Sequence, residues 1–436
     1  MKIGLAFPEL GEHTLEDFIP TLRDAICQLD LLVVPEGFEI VQLDTGLVPG
    51  QLQDHTDVIC LRERYTCVAK ELGVSIVVGV SVDYHDASAN GGGNDQYSMF
   101  VPPTGETIIY HKHSTSHFNA FFDDDWSIEG NFPVVEVNNV KVGLSICHDS
   151  YISLIPRVLK RKRAQVWINI SFQNVRPHIW ESVLQARASE NAMFAVCTLH
   201  RNSCPDPGEG RPQKEPYAFS DRGKIKLRDL EEGRCIDKIP IDHRTGRIFY
   251  FDMFDYETYP VKALQAQSLA SKACLVTICR DQAGTVGADP DDGQFVVKEI
   301  DIGGFLYSPE RMWRMALDDP EGRVPLFVVR LRDNEEWTSH WPLIEKLVKG
   351  RVIEFSTLFL FVDGEMTTPL MAAYRSSNYK DARVFFPERF PIQVDGRYLK
   401  GLKSTYSISL NHGRNRDSNT YFERVGQLVQ FLEDGD

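Results

Sequence analysis

Along the first half of the chain, apolar positions recur with two alternating periods. KIGLAF, Lys2–Phe7, is a compact apolar run of strand length. Leu15–Leu29 carries apolar residues at helical spacing, and LLVVPEGF, Leu31–Phe38, is a buried strand that stops at a turn. Val58–Leu72 has the amphipathic helical period, and SIVVGVSV, Ser75–Val82, follows it as a strand. Gln96–His113 holds two strand-like runs about PPTGE, a hairpin signal. A second hairpin, FPVVEVNNVKVGLSIC, turns at Asn138 and Asn139 and ends at Cys147. A basic helix, the strand AQVWINISF, a helix over Pro177–Asn191 and the strand MFAVCTLH complete the series.

Strands alternating with helices in this way predict a layered α/β domain. A loop rich in proline, glycine and charge, Asn202–Pro216, interrupts the pattern; AFSDRGKIKL and a strand over Ile236–Ile241 resume it. The first domain is expected to end near Tyr259, giving domains of residues 1–259 and 260–436. The second unit reads as a smaller α/β or α+β domain. Its expected elements are a helix over Val261–Ala273, the strand PLFVVRL, a helix over Trp341–Val348, the strand VIEFSTLFLFV and a final amphipathic helix over Thr420–Leu432. Neither GRYLKGLKST nor ADPDDGQF has the spacing of a phosphate or calcium loop.

Charge and cysteine usage narrow the function. The net charge of -15 counts against nucleic acid as a partner, since a basic face is needed. The basic segments His412–Arg416 and Lys160–Arg163 read as a solvated loop and as a helix C-terminus, where cations meet the dipole. Nine cysteines, odd in number and without a C-x-x-C pair, fit neither a zinc framework nor a secreted disulfide scaffold. With no apolar run long enough to span a bilayer, the expectation is a cytoplasmic protein without membrane contact.

Three positions carry candidate chemistry. Cys147 stands where an apolar strand stops, a place that exposes a nucleophile on a sharp turn and aims the N–H of His148 at a reacting oxygen. The adjacent His148 and Asp149 diverge from it, so its base must come from another segment; Asp149 is expected to cap the following helix. Glu36, directly after an apolar strand, is a candidate general base. Lys112, on the opposite side of its strand from His111 and His113, is a candidate to stabilise an oxyanion and a thiolate. His111, His113 and His117 lie close in sequence, but no matching cysteine or acid makes them a metal site.

Glu36 in VVPEGFE, Lys112 in YHKHS and Cys147 in GLSICHD occur in the order and at roughly the spacing of the Glu-Lys-Cys set of the nitrilase, or carbon–nitrogen hydrolase, superfamily. Arg187, Ala188, Glu190 and Asn191 resemble that family's Arg-Ala-x-Glu-Asn helix, and WINISFQN its strand after the nucleophile helix. The resemblance covers about Met1 to Tyr259. It implies a four-layer α-β-β-α sandwich, pairing with a second copy as a homo-oligomer, and a thiol hydrolase acting on a small-molecule amide, or less commonly a nitrile, without metal or cofactor. Asp123 lies nearest to the family's second glutamate, with Asp124, Asp125 or Glu129 as alternatives. Asp123, His148 and Asn169 are the candidate substrate-binding residues. The segment HDSYISLIP lacks the family's frequent Phe-Pro-Glu, which leaves open an idle site in a scaffold or binding protein, such as a bacterial defence component, with a protein partner held by the second domain.

Overall fold

The computed structural model describes residues 1–9, 23–43, 55–86, 91–113, 127–172, 177–200, 215–240, 243–259, 279–280, 286–287, 295–318, 324–331, 341–355, 359–363, 369–375, 382–385 and 418–434. Two sheets face each other in its first part. One is built from β1 (Lys2–Phe7), β2 (Leu31–Val33), β3 (Glu39–Leu43), β4 (Ser75–Asp86), β5 (Gly91–Val101) and β6 (Ile108–His111), with α1 (Thr56–Leu72) between β3 and β4. The other uses β7 (Val134–Val137), β8 (Val140–Ile146), β9 (Val166–Ser171), β10 (Phe194–Leu199), β11 (Tyr217–Ser220) and β12 (Gly223–Lys224). Here α2 (Leu154–Arg161) joins β8 to β9, and α3 (Pro177–Asn191) joins β9 to β10. The chain then returns to the first sheet through β13 (Arg228–Asp229) and β14 (Arg247–Asp252). The strand orders are β13-β14-β1-β2-β4-β5-β6, with β3 on β4, and β12-β11-β10-β9-β8-β7.

Side-chain alternation sorts the core. In β2, Leu31 and Val33 face the second sheet, while Leu32 packs with Leu61, Tyr65 and Ala69 of α1. That helix buries Val58, Leu61, Tyr65, Ala69 and Leu72, the 3–4 spacing its sequence predicts, and stops at Gly73 with φ +68°. The hairpin β7–β8 turns through Asn138 and Asn139, both at positive φ, as a two-residue primed turn requires. With α1 outside one sheet and α2 and α3 outside the other, the four-layer sandwich is in place.

A third sheet follows a short pair, β15 (Cys279–Arg280) and β16 (Val286–Gly287). It comprises β17 (Phe295–Asp301), β18 (Val324–Leu331), β19 (Phe359–Asp363), β20 (Pro369–Arg375) and β21 (Ala382–Phe385), the first three parallel and the rest antiparallel. Its helices are α4 (Ile302–Tyr307), α5 (Pro309–Leu317), α6 (Trp341–Phe355) and α7 (Ser418–Glu433). Phe305, Trp313, Phe327, Phe355, Phe359 and Phe361 form its aromatic core, with Phe327 stacked on Phe359 at 5.2 Å. Helix α6 lies along α3, and α7 along α2 and α5. Helix α3 is thus covered on both sides, which is why Trp180, Leu184, Arg187 and Asn191 are all buried. Among the described residues, no helix is long and apolar enough to cross a membrane.

Several elements depart from the sequence reading. Ile236–Lys238 is a single 3-10 turn, not a strand, and β14 closes the first sheet instead; Asp237 and Lys238 face solvent and Pro240 ends the run. Val352 and Phe355 belong to α6, because they continue the buried face of Leu347, Val348 and Arg351 at helical spacing. Of the helix expected over Leu15–Leu29, only Arg23–Ile26 is helical within the described residues. The helix expected over Val261–Ala273 and the segment His412–Arg416 lie outside them, and the expected boundary at 259/260 falls at their edge.

Candidate active site

Glu36 sits three residues past β2, in the turn between β2 and β3, and only 2% of it is exposed. Its backbone lies against β4 at a point where no side chain fits. A Cβ on Gly79 would meet Glu36 Cα and the Pro35 carbonyl oxygen at 2.4 Å. Each carboxylate oxygen has a donor: Lys112 Nζ at 2.5 Å from Oε1, and the Phe172 backbone N–H at 2.6 Å from Oε2. The Glu36 carbonyl faces His200 Nε2 at 2.9 Å, which makes that ring nitrogen the donor. Lys112 follows the last residue of β6 and also donates to Gln96 Oε1 on the neighbouring β5. Burial opposes the charge on Lys112. The Glu36 carboxylate and the nearby Cys147 sulfur outweigh that cost and hold its pKa above the ordinary lysine value.

Cys147 begins a 3-10 turn, Cys147–Tyr151, directly at the end of β8. Its φ is +46°, a conformation that costs a non-glycine residue about 1–3 kcal/mol and must be held by its surroundings. Several groups hold it. Asp149, fully buried, accepts from the Ile146 N–H at 3.1 Å and from the Tyr110 hydroxyl at 2.8 Å, both on Oδ2. Asp149 therefore caps its own turn rather than the following helix α2, whose N-cap residue is Ser153. Asn169 Nδ2 donates to Ser145 Oγ at 2.8 Å and to the Cys147 carbonyl at 3.3 Å, while Asn169 Oδ1 accepts from Ser171. The register that sets Ser145 opposite Asn169 on β8 and β9 places that amide beneath the turn.

The structure brings Glu36, Lys112 and Cys147 to one end of the sandwich, where strands of both sheets finish. Asn169 lies there too, fully buried with its amide bonded within the protein. His148 is half-buried, its ring 4.9 Å from that of Tyr151. Asp123, Asp124, Asp125 and His117 lie outside the described residues. Glu129 is 77% exposed at its side chain and pairs with Lys162 at 3.0 Å. His113 is buried between Tyr110 and Phe132 and bonds the Asn131 carbonyl, away from Lys112. The basic run behaves as a helix end: Lys160 and Arg161 lie in the last turn of α2, and Lys162 donates to carbonyls of Ile128, Glu129 and Phe132.

Residues 26–222, which span all three clustered side chains, match the family model of carbon–nitrogen hydrolases. They form a carbon–nitrogen hydrolase domain. No curated protein matches the chain. Among solved structures, a variant of the Nesterenkonia AN1 amidase from the nitrilase superfamily is similar at 16% identity and a TM-score of 0.39, covering 58% of this chain and 90% of that one. Another variant of the same amidase, with the acetamide moiety of fluoroacetamide on its active-site cysteine, gives 17% identity and a TM-score of 0.38 over 58% and 90%.

Within the hydrolase domain, sequence reasoning missed the residues that support Glu36 and Lys112. Gln96 lies within β5, while Phe172 and His200 directly follow β9 and β10, and no local pattern connects the three. Tyr110 did carry a signal. It is two residues before Lys112 and faces the opposite sheet, where a buried hydroxyl needs a partner, here Asp149.

Proposed function

We propose that this chain is a thiol hydrolase that cleaves amide-type C–N bonds, with Cys147 as nucleophile. The observation that carries the reading is the enclosed Glu36–Lys112 ion pair beside a cysteine turned to φ +46° at a strand end. Glu36 takes the thiol proton, and the Cys147 sulfur attacks the carbonyl carbon. Lys112 and the backbone N–H of His148 hold the oxyanion that forms. Glu36 returns the proton to the leaving nitrogen, and ammonia or an amine departs from a Cys147 thioester. Glu36 then deprotonates water, which cleaves the thioester to a carboxylic acid and restores the thiol. Asn169 holds the Cys147 carbonyl, His148 contacts the substrate, and the chemistry uses no cofactor. An amide is preferred to a nitrile because most branches of the family that the Glu-Lys-Cys set resembles act on amides. A reducing compartment, the cytoplasm, suits such a thiol. Assembly with a second copy uses a face other than that of α2 and α3, which the same chain's α6 and α7 cover.

The test is ammonia release from a panel of small amides and nitriles, with intact mass to detect an acyl-enzyme. Cys147→Ala abolishes turnover, and Lys112→Ala lowers it by about 10²–10³, the usual effect of losing an oxyanion donor. Both variants keep the wild-type circular dichroism spectrum. Ammonia release at the wild-type rate by folded Cys147→Ala protein overturns the reading.

A further inference from the structure

The turn that carries Cys147 is gripped from outside the hydrolase domain. Glu354, on α6, is 8% exposed, and its carboxylate crosses to the exit of the turn. Oε1 accepts from the Ser153 backbone N–H at 2.9 Å, from Ser153 Oγ at 2.5 Å and from Trp313 Nε1 at 2.7 Å. Oε2 accepts from Arg187 Nη2 at 3.2 Å and Arg351 Nη1 at 3.3 Å. Arg187, fully buried, in turn donates Nε to the Ser150 carbonyl at 3.0 Å and Nη2 to the Tyr151 carbonyl at 2.9 Å. Those carbonyls belong to the turn itself. Glu190 closes a ring of alternating charge. It accepts from Arg187 Nη1 at 2.9 Å and lies 2.6 Å from Arg351 Nη2, out of line for a hydrogen bond.

Two guanidinium groups and two carboxylates are thus matched inside a dry interface, half from α3 and half from α6. Removing either glutamate leaves two buried cations sharing one anion. Asp149 fixes the entrance of the turn and Glu354 its exit, and φ at Cys147 is strained between them.

We propose that Glu354 is a positioning residue for Cys147, so that the hydrolase site is complete only with the C-terminal unit docked through the Arg187–Glu190–Arg351–Glu354 ring. This rests on Cys147 being the nucleophile, as proposed above. The test is alkylation of the full-length chain by iodoacetamide between pH 5 and 10, resolved by peptide mass, with the exposed Cys27, Cys60 and Cys67 as internal standards. In Glu354→Gln, Cys147 alkylation falls about tenfold or more relative to the standards, the order of loss that a sub-ångström displacement brings. Its pH midpoint moves toward theirs. Ser153→Ala, which removes one bond and no charge, shifts both in the same direction by less, and it decides the matter if Glu354→Gln does not fold. Amide hydrogen exchange over residues 148–153 quickens in both variants. A loss of stability without displacement of the thiol would lower the melting temperature and leave the midpoint in place. Folded variants with the wild-type rate, midpoint and exchange overturn the proposal. A wild-type Cys147 that reacts like the exposed cysteines removes the hydrolase reading instead, and hydrogen exchange then decides the positioning claim.

Discussion

His113 should make the protein acid-sensitive in a way one substitution can isolate. Its ring is 1% exposed, wedged edge-on to Tyr110 at 5.0 Å and tilted on Phe132 at 4.8 Å. Burial drives its pKa down to about 3, aided by His111 and Arg424, while the bond to the Asn131 carbonyl works the other way. A group whose folded pKa is depressed contributes stability that is full above its unfolded value and is lost as pH falls toward the folded one. The window is therefore from about 6.5 down to about 3. At pH 5 the unfolded chain holds a proton on this ring and the folded one does not. A gap of about 1.5 pH units at about 1.4 kcal/mol each costs about 2 kcal/mol relative to pH 7.5. His113→Gln keeps a donor for the Asn131 carbonyl and removes the titration. The assay is thermal melting of both proteins at pH 7.5 and pH 5. The wild type should lose about 4–8 °C more than the variant on acidification, at about 2–4 °C per kcal/mol for a domain of this size. Equal losses in the two proteins would refute the account of His113 as a buried neutral ring.

Two further outcomes follow from the geometry. Gly79→Ala sets a methyl group 2.4 Å from the Glu36 backbone, so it should destabilise the fold by about 1–3 kcal/mol in a thermal melt and lower turnover by displacing Glu36, although no reacting group changes. Burial pushes the Cys197 thiol up to about 12, against hydrogen bonds from Trp180 and Ser171 that pull it down; peptide mass should therefore find native Cys197 unalkylated by iodoacetamide at pH 9 while Cys27, Cys60 and Cys67 are modified.

The candidates Glu36 and Cys147 were legible because each breaks an apolar pattern where the pattern ends, and Lys112 because it takes the side of its strand opposite His111 and His113. A strand that finishes in a carboxylate or a thiol has no packing reason to do so. Helix α3 was legible by its period, but its all-round burial was not, since the covering helix α6 lies about 150 residues later in the chain. Arg187 stood in a recognisable motif, whereas its partner Glu354 sat in VIEFSTLFLFV, an apolar run without a glycine or proline to divide it. Read as one strand, that run would place Glu354 and Phe355 on opposite faces; its first four residues are helical, and Arg351 and Glu354 share the face toward Arg187. Strand β14 was missed for a similar reason. Ile236–Ile241 offered an earlier apolar run, and only pairing with β1, almost the full length of the domain away, selects Arg247–Asp252.

The bonds that hold the Cys147 turn converge on backbone atoms. Asp149 binds the Ile146 N–H, Asn169 the Cys147 carbonyl, Arg187 the carbonyls of Ser150 and Tyr151, and Glu354 the Ser153 N–H. None of these five bonds uses the Cys147 sulfur. The strain at φ +46° is therefore met by side chains of the turn itself, β9, α3 and α6 that bond its main chain, and it persists when the thiol is removed. This separates the two ways of disabling the site. Cys147→Ala deletes the proposed nucleophile from an intact turn, so the loss it causes measures chemistry. Glu354→Gln leaves the atom and loosens the turn, so the loss it causes measures position.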